Sequence, residues 1–166
     1  FPKKNFRLLV HSDIQTTYKA RQRSFKEVAR IITQTVNTRA GNYMIYFPSY
    51  AYMNHVVEII EQKGGVPGIQ VQTVQMTEPA REDFLHQFTL DSQITGFAVM
   101  GGIFGEGIDL EGDRLIGVVV VGVGLPQICP EQDQIRAYYE ACSQDGFFNG
   151  LLRVRGVSPV SSRQEA

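Results

Sequence analysis

Short runs of β-branched and aromatic residues alternate along this chain with stretches whose apolar positions recur every three or four residues. That alternation restricts the fold more than any other feature. Asn42–Phe47, Ile94–Met100 and Ile116–Val121 are apolar through most of their length, the pattern of strands covered on both faces, and the valine run of the last predicts a central parallel strand. Ile69–Val74 alternates with period two and predicts a strand exposed on one side, near a sheet edge. Phe6–Val10 predicts a further short strand.

Between these runs lie three amphipathic segments. Ser24-Phe25-Lys26-Glu27 has the form of a capping box, and Phe25, Val28, Ala29, Ile32 and Val36 follow on one helical face to about Thr38, with Gly41 as the stop. Tyr52, Val56, Ile59 and Ile60 mark a second helix ending near Gly64-Gly65. Thr77 is a cap for a third, with Pro79 in its first turn and Phe84, Leu85 and Phe88 turned inward. Cys129-Pro130-Glu131 opens a last helix reaching about Ala141. Strands separated by helices of this length predict an α/β domain with a mainly parallel sheet flanked by helices.

Composition narrows the function classes. The chain of 166 residues is 43% hydrophobic and 20% charged, which suits one ordinary globular core. The net charge of −1 excludes a domain-wide basic field, so a nucleic-acid contact must rest on a local patch or on backbone donors. Cys129 and Cys142, with no histidine beside them, do not make a zinc site, and His11, His55 and His86 form no ligand cluster. The longest apolar run, Leu115–Pro126, is much shorter than the roughly 20 residues a membrane span requires. A soluble, cytoplasmic protein with no membrane partner is expected. The chain opens on Phe1-Pro2-Lys3-Lys4 with no initiator Met, and is expected to be part of something longer.

In an open α/β sheet, ligands bind outside the carboxyl ends of the strands. Two loops there stand out. One is Phe47-Pro48-Ser49-Tyr50. The other is rich in glycine, with Gly101, Gly102, Gly105, Gly107 and Gly112, and carries Glu106, Asp109 and Asp113. Glycine allows close approach of backbone to a ligand, and exposed N–H groups there suit phosphate. No dinucleotide fingerprint and no Walker A motif are present, so a nicotinamide-dependent oxidoreductase is poorly supported. The densest basic stretch, Thr17–Arg23, is interleaved with Tyr18 and reads more readily as a solvated face than as a DNA contact.

These loops resemble a known family. Gly41-Asn42-Tyr43-Met44-Ile45-Tyr46-Phe47-Pro48-Ser49-Tyr50 looks like motif IV of the DinG/XPD-like branch of superfamily 2 DNA helicases. Phe97–Leu115, containing Gly-Glu-Gly-Ile-Asp-Leu-Glu-Gly-Asp-Arg-Leu, looks like motif V, and Val-Val-Val-Val-Gly-Val-Gly-Leu-Pro is similar to the strand and turn that follow it. The resemblance covers residues 5 to 142 in order. It implies the second, C-terminal RecA-like domain of an ATP-dependent DNA helicase acting in DNA repair or replication, with a P-loop NTPase-type three-layer fold. ATP and Mg2+ would be held mainly by a first RecA-like domain, and single-stranded DNA would cross both.

Carried over residue by residue, the resemblance puts Gly105, Glu106, Gly107 and Asp109 on the nucleotide cleft. It puts Ser49 and Tyr50 on the nucleic-acid path, Ser49 doubling as a helix cap; Arg114 is a further nucleic-acid candidate, open between meeting a phosphate and pairing with Asp113. No catalytic residue and no metal site are expected in this stretch alone. Motif VI, of the form Q-x-x-G-R-x-x-R, is missing, and the arginines of the tail 147–166 have the wrong spacing to replace it. The domain is therefore expected to span 1–146 with a poorly ordered tail, and to be inactive by itself. A non-catalytic nucleic-acid or protein-binding module that keeps the fold is the alternative.

Overall fold

The computed structural model describes residues 6–17, 19–105 and 108–122, with the isolated positions 134 and 138. In chain order the elements are α1 (Arg21–Thr38), β1 (Tyr43–Phe47), α2 (Tyr50–Gln62), β2 (Ile69–Val71), α3 (Glu78–His86), β3 (Thr95–Val99), a 3-10 turn (Gly112–Arg114) and β4 (Gly117–Val120). The four strands form one sheet in the order β2-β3-β1-β4 with every pairing parallel. The register sets Ile45 opposite both Phe97 and Val119.

Strand alternation divides the core in two. Tyr43, Ile45 and Phe47 of β1 and Phe97 and Val99 of β3 pack with Val28, Ala29, Ile32 and Val36 of α1 and with Tyr52, Met53, Val56, Val57 and Ile60 of α2. Met44 and Ala98, one residue out of phase, pack with Phe84, Phe88 and Phe104 on the other face. Fully buried side chains such as Ile32, Phe47 and Phe97 each contribute about 1.5–3 kcal/mol. Handedness accounts for the layers: β1 to β2 and β2 to β3 move across the sheet in opposite directions, so right-handed crossovers put α2 and α3 on opposite faces.

Gly96 is required by this packing. A Cβ there would lie 2.6 Å from the Met44 sulfur and 2.8 Å from Phe88 Cζ, so the aromatic cluster of the second face closes directly onto the β3 backbone.

Several expectations hold in detail. Ser49 and Thr77 are the N-caps of α2 and α3, accepting from the N–H groups of Tyr52 and Ala80. Gly64 and Gly65 close α2, Gly65 donating to the Ile60 carbonyl at 2.8 Å and Gly64 to that of Glu61 at 3.2 Å. β2 lies at a sheet edge among the described residues.

Others need correction. α1 starts at Arg21 with Ala20 as its N-cap, so Ser24 is not a cap. Its hydroxyl donates instead to the Arg21 carbonyl at 2.7 Å, and Glu27 pairs with Arg30. Thr17 supplies the earlier start, its carbonyl accepting from Ala20 and Arg21 N–H. Phe6–Val10 forms no strand, and Phe6, Leu8, Leu9 and Val10 are 66–81% exposed; a β-forming run stays extended coil unless a ladder partner receives it, and none of the described strands does. β4 is not central among the described residues, since it pairs with β1 alone and Val118 and Val120 are exposed. Valine suits an edge strand as well as a central one, so its abundance cannot distinguish them. The expected helix from Cys129 and the tail 147–166 lie outside the described residues.

Candidate functional site

The chain leaves β1 toward α2 on one face of the sheet, and leaves β3 toward β4 on the other. Neighbouring strands whose connections depart in opposite senses leave a crevice between their carboxyl ends, the switch point where α/β domains bind ligands. Here the crevice lies between Phe47-Pro48-Ser49-Tyr50 and Met100–Gly105. The Met100 N–H donates to the Phe47 carbonyl at 2.8 Å and closes its floor.

On the β1 side, Ser49 caps α2, so the N-terminus of a 13-residue helix points at the crevice rim. The Ser49 hydroxyl oxygen accepts from Tyr52 N–H at 3.4 Å and from an Arg21 Nη1 at 3.0 Å. Both contacts use lone pairs, which leaves the Ser49 proton uncommitted by either. The Arg21 guanidinium also lies over the Tyr52 ring, 5.8 Å from its centroid. Tyr52 is fixed in turn. Ser24 spends its one proton on the Arg21 carbonyl, so the Tyr52 hydroxyl donates to Ser24 Oγ at 2.6 Å. Burial, the largest influence, raises the Tyr52 pKa above its ordinary value.

Arg21 is the residue the sequence reading undervalued. The basic stretch 17–23 is not uniformly a solvated face, because its Arg21 turns in against Ser49 while Arg23 stays exposed. Nothing within 17–23 distinguishes Arg21 from Arg23 in the sequence, because its partner lies 28 positions away.

On the β3 side, Gly101 turns the chain with φ of +74°, a conformation L side chains rarely adopt. Gly102 N–H donates to the Val99 carbonyl at 3.1 Å and Gly105 N–H to Gly102 at 2.8 Å. Two of the backbone donors expected for phosphate are thus engaged inside the loop. Phe104 plugs the loop into the core at 1% exposure, and the Tyr46 hydroxyl donates to the Phe104 carbonyl at 2.8 Å. Burial also raises the pKa of Tyr46.

The structure brings Ser49, Tyr50 and Gly105 to the carboxyl end of the sheet. Glu106 and Gly107 lie outside the described residues. Asp109 is exposed between Ile108 and Leu110, which pack against the second core cluster as the chain returns toward the other rim. Arg114 is not brought to the crevice. It sits at the amino-terminal rim, its Nε donating to the Phe88 carbonyl at 2.8 Å and its own carbonyl accepting from Asn42 Nδ2 at 3.1 Å. No metal-ligand cluster and no helix long and apolar enough to cross a membrane occur among the described residues.

A family model described as the helicase C-terminal domain matches residues 32–158, well over half of the chain. The chain belongs to the helicase C-terminal domain family. The two loops flanking the crevice, Phe47–Tyr50 and Met100–Gly105, both fall within the matched region, and the parallel sheet flanked by helices is the RecA-like architecture expected from the resemblance to DinG/XPD-like helicases. The chain is similar to the ATP-dependent DNA helicase DDX11 of Mus musculus, 26% identical over 146 residues, covering 77% of this chain and 16% of that relative. It is also similar to the ATP-dependent DNA helicase DDX11 of Danio rerio, 27% identical over 131 residues, covering 69% of this chain and 15% of the relative. The helicase C-terminal domain described here therefore corresponds to about one sixth of the length of these relatives.

Proposed function

We propose that this helicase C-terminal domain is the second motor domain of an ATP-dependent DNA helicase, a soluble, cytoplasmic enzyme of DNA repair or replication, and that its carboxyl-end crevice receives single-stranded DNA. The observation that carries this reading is the joint presentation of Arg21, Ser49 and the α2 N-terminus beside Tyr50. A guanidinium, a hydroxyl and a helix N-terminus suit a phosphate, and a half-buried tyrosine offers a face for a base. The opposite bank of the crevice, Met100–Gly105, would face the nucleotide held by a first RecA-like domain, the role that the resemblance to DinG/XPD-like helicases implies for Gly105, Glu106, Gly107 and Asp109.

ATP and Mg2+ fit this account as ligands of the whole enzyme. The chain carries no Walker A loop to cradle phosphates and no motif VI arginines to meet the γ-phosphate, where charge develops during transfer. The contribution assigned to this domain is to close the nucleotide cleft and to hold the strand while it does so.

The reading is tested by titrating a fluorescent oligothymidylate into the chain and its Tyr50→Ala variant. Loss of a stacking face is expected to weaken binding by about 1–3 kcal/mol. Unchanged affinity in the variant, or no binding by the parent chain at low salt, would remove the crevice from the account.

A further inference from the structure

We infer that Gln72 is a positioning residue that ties the tyrosine at the head of α2 to the glycine loop after β3, so that the state of Tyr50 is felt at Val99–Gly105. The inference deepens the single-strand reading of the crevice and rests on it for its functional meaning.

Gln72 stands one residue past β2, where the chain leaves the sheet edge, and is 3% exposed. Its own N–H donates to the Phe97 carbonyl at 2.9 Å, the last rung of the β2–β3 ladder. In that register the next rung would join Val99 N–H to the backbone carbonyl of residue 72. The side chain takes over instead: Gln72 Oε1 accepts from Val99 N–H at 2.9 Å. The other end of the same amide, Nε2, donates to the Tyr50 hydroxyl oxygen at 2.9 Å.

The glycine loop lies against this amide as well. A Cβ on Gly102 would come within 3.0 Å of Gln72 Nε2 and 3.6 Å of Oε1. One rigid, planar group therefore bonds to both banks of the crevice, to the Tyr50 hydroxyl on one side and to Val99 N–H on the other, with Gly102 beside it. Its orientation is fixed, because turning the amide over would set an NH2 against the Val99 N–H. Packing alone does not call for an amide at a buried edge position, since burial of its polar atoms is costly unless both ends are bonded. Here both are, and to opposite sides of the site. When a ligand shifts Tyr50, the shift reaches the turn at Gly101 through Gln72.

The test is a double-mutant cycle read by amide hydrogen exchange on the full chain, using Tyr50→Phe and Gln72→Met. Tyr50→Phe removes only a hydroxyl that makes no bond to the glycine loop. It is nevertheless expected to speed exchange at Val99–Gly105 by roughly threefold or more, and to add nothing in the Gln72→Met background. Amides of β1 serve as the control: adding Tyr50→Phe leaves them unchanged in either background, which separates this effect from a general loss of stability. No effect of Tyr50→Phe in the parent chain, or an equal effect in the Gln72→Met background, overturns the inference. With oligothymidylate added, exchange at Val99–Gly105 slows in the parent chain and not in Gln72→Met, although both bind. Equal slowing in the two overturns it also. If the parent chain binds no oligonucleotide, the single-strand reading fails, and the ligand-free cycle alone decides the link.

Discussion

The Arg21 guanidinium donates to the Ser49 hydroxyl at 3.0 Å, joining the first turn of α1 to the cap of α2 across 28 positions of chain. The contact puts a fixed positive charge beside a helix N-terminus at the mouth of the crevice, in a chain whose net charge is −1. Local placement of charge, and not its total, is what suits this surface to a phosphate.

Replacing Arg21 by Ala is expected to weaken single-stranded DNA binding without regard to base sequence. If one phosphate contact is lost, the slope of log affinity against log salt falls in magnitude by about 0.7. Anisotropy titrations at several salt concentrations measure that slope, and an unchanged value would place the phosphate elsewhere.

Gly96→Ala tests the close contact between the β3 backbone and the aromatic face. The new methyl must displace the Met44 sulfur and the Phe88 ring, both within 3 Å of it. A loss of about 1–3 kcal/mol is expected from overpacking, seen as a lower urea midpoint at unchanged m.

Asn42 is fully buried just ahead of β1, and its side chain is used completely. Nδ2 donates to the carbonyls of Thr89 and Arg114, while Oδ1 accepts from Ile94 N–H and the Ser92 hydroxyl. Asn42→Leu keeps the bulk but removes four hydrogen bonds from partly buried partners, so about 3 kcal/mol is expected to be lost. Thermal unfolding of the variant checks it. A change below about 1 kcal/mol would mean that water replaces the side chain at little cost.

Stability is expected to fall in alkali. Burial raises the pKa of Tyr43, Tyr46 and Tyr52 above the ordinary tyrosine value of 10.0. A group whose folded pKa is raised stabilises the fold fully below its unfolded pKa, and that contribution disappears as pH climbs from there through the folded value. Urea midpoints should therefore decline above pH 10, and less steeply in Tyr52→Phe, which cannot ionise at that position. An identical decline in the variant would assign the effect to other groups.

What the sequence made legible was what depends on neighbours in the chain. The apolar faces of α1 and α2, the caps Ser49 and Thr77, and the buried runs that became β1 and β3 all follow from local spacing. Relations across long separations were not legible. Ser24 and Glu27 have the letters of a capping box, yet Ser24 serves Tyr52, 28 positions away. For Arg114 the sequence offered a phosphate or its neighbour Asp113, while its Nε donates to the Phe88 carbonyl at the far rim. Gln72 was one of two glutamines in an alternating run, and nothing in its neighbourhood announces that its amide, and not that of Gln70, reaches Tyr50 and Val99. Phe6–Val10 has the composition of a strand, yet none of the described strands pairs with it, and composition does not supply a partner.

The most direct measurement is photo-crosslinking of a 4-thiothymidine oligonucleotide to the chain, with the joined peptides identified by mass spectrometry. Attachment within Phe47–Tyr52 and Met100–Gly105, lost on competition with unlabelled single strand, is the predicted result. Attachment confined to the amino-terminal rim, at Thr89–Gln93 or Gly112–Arg114, would contradict the account.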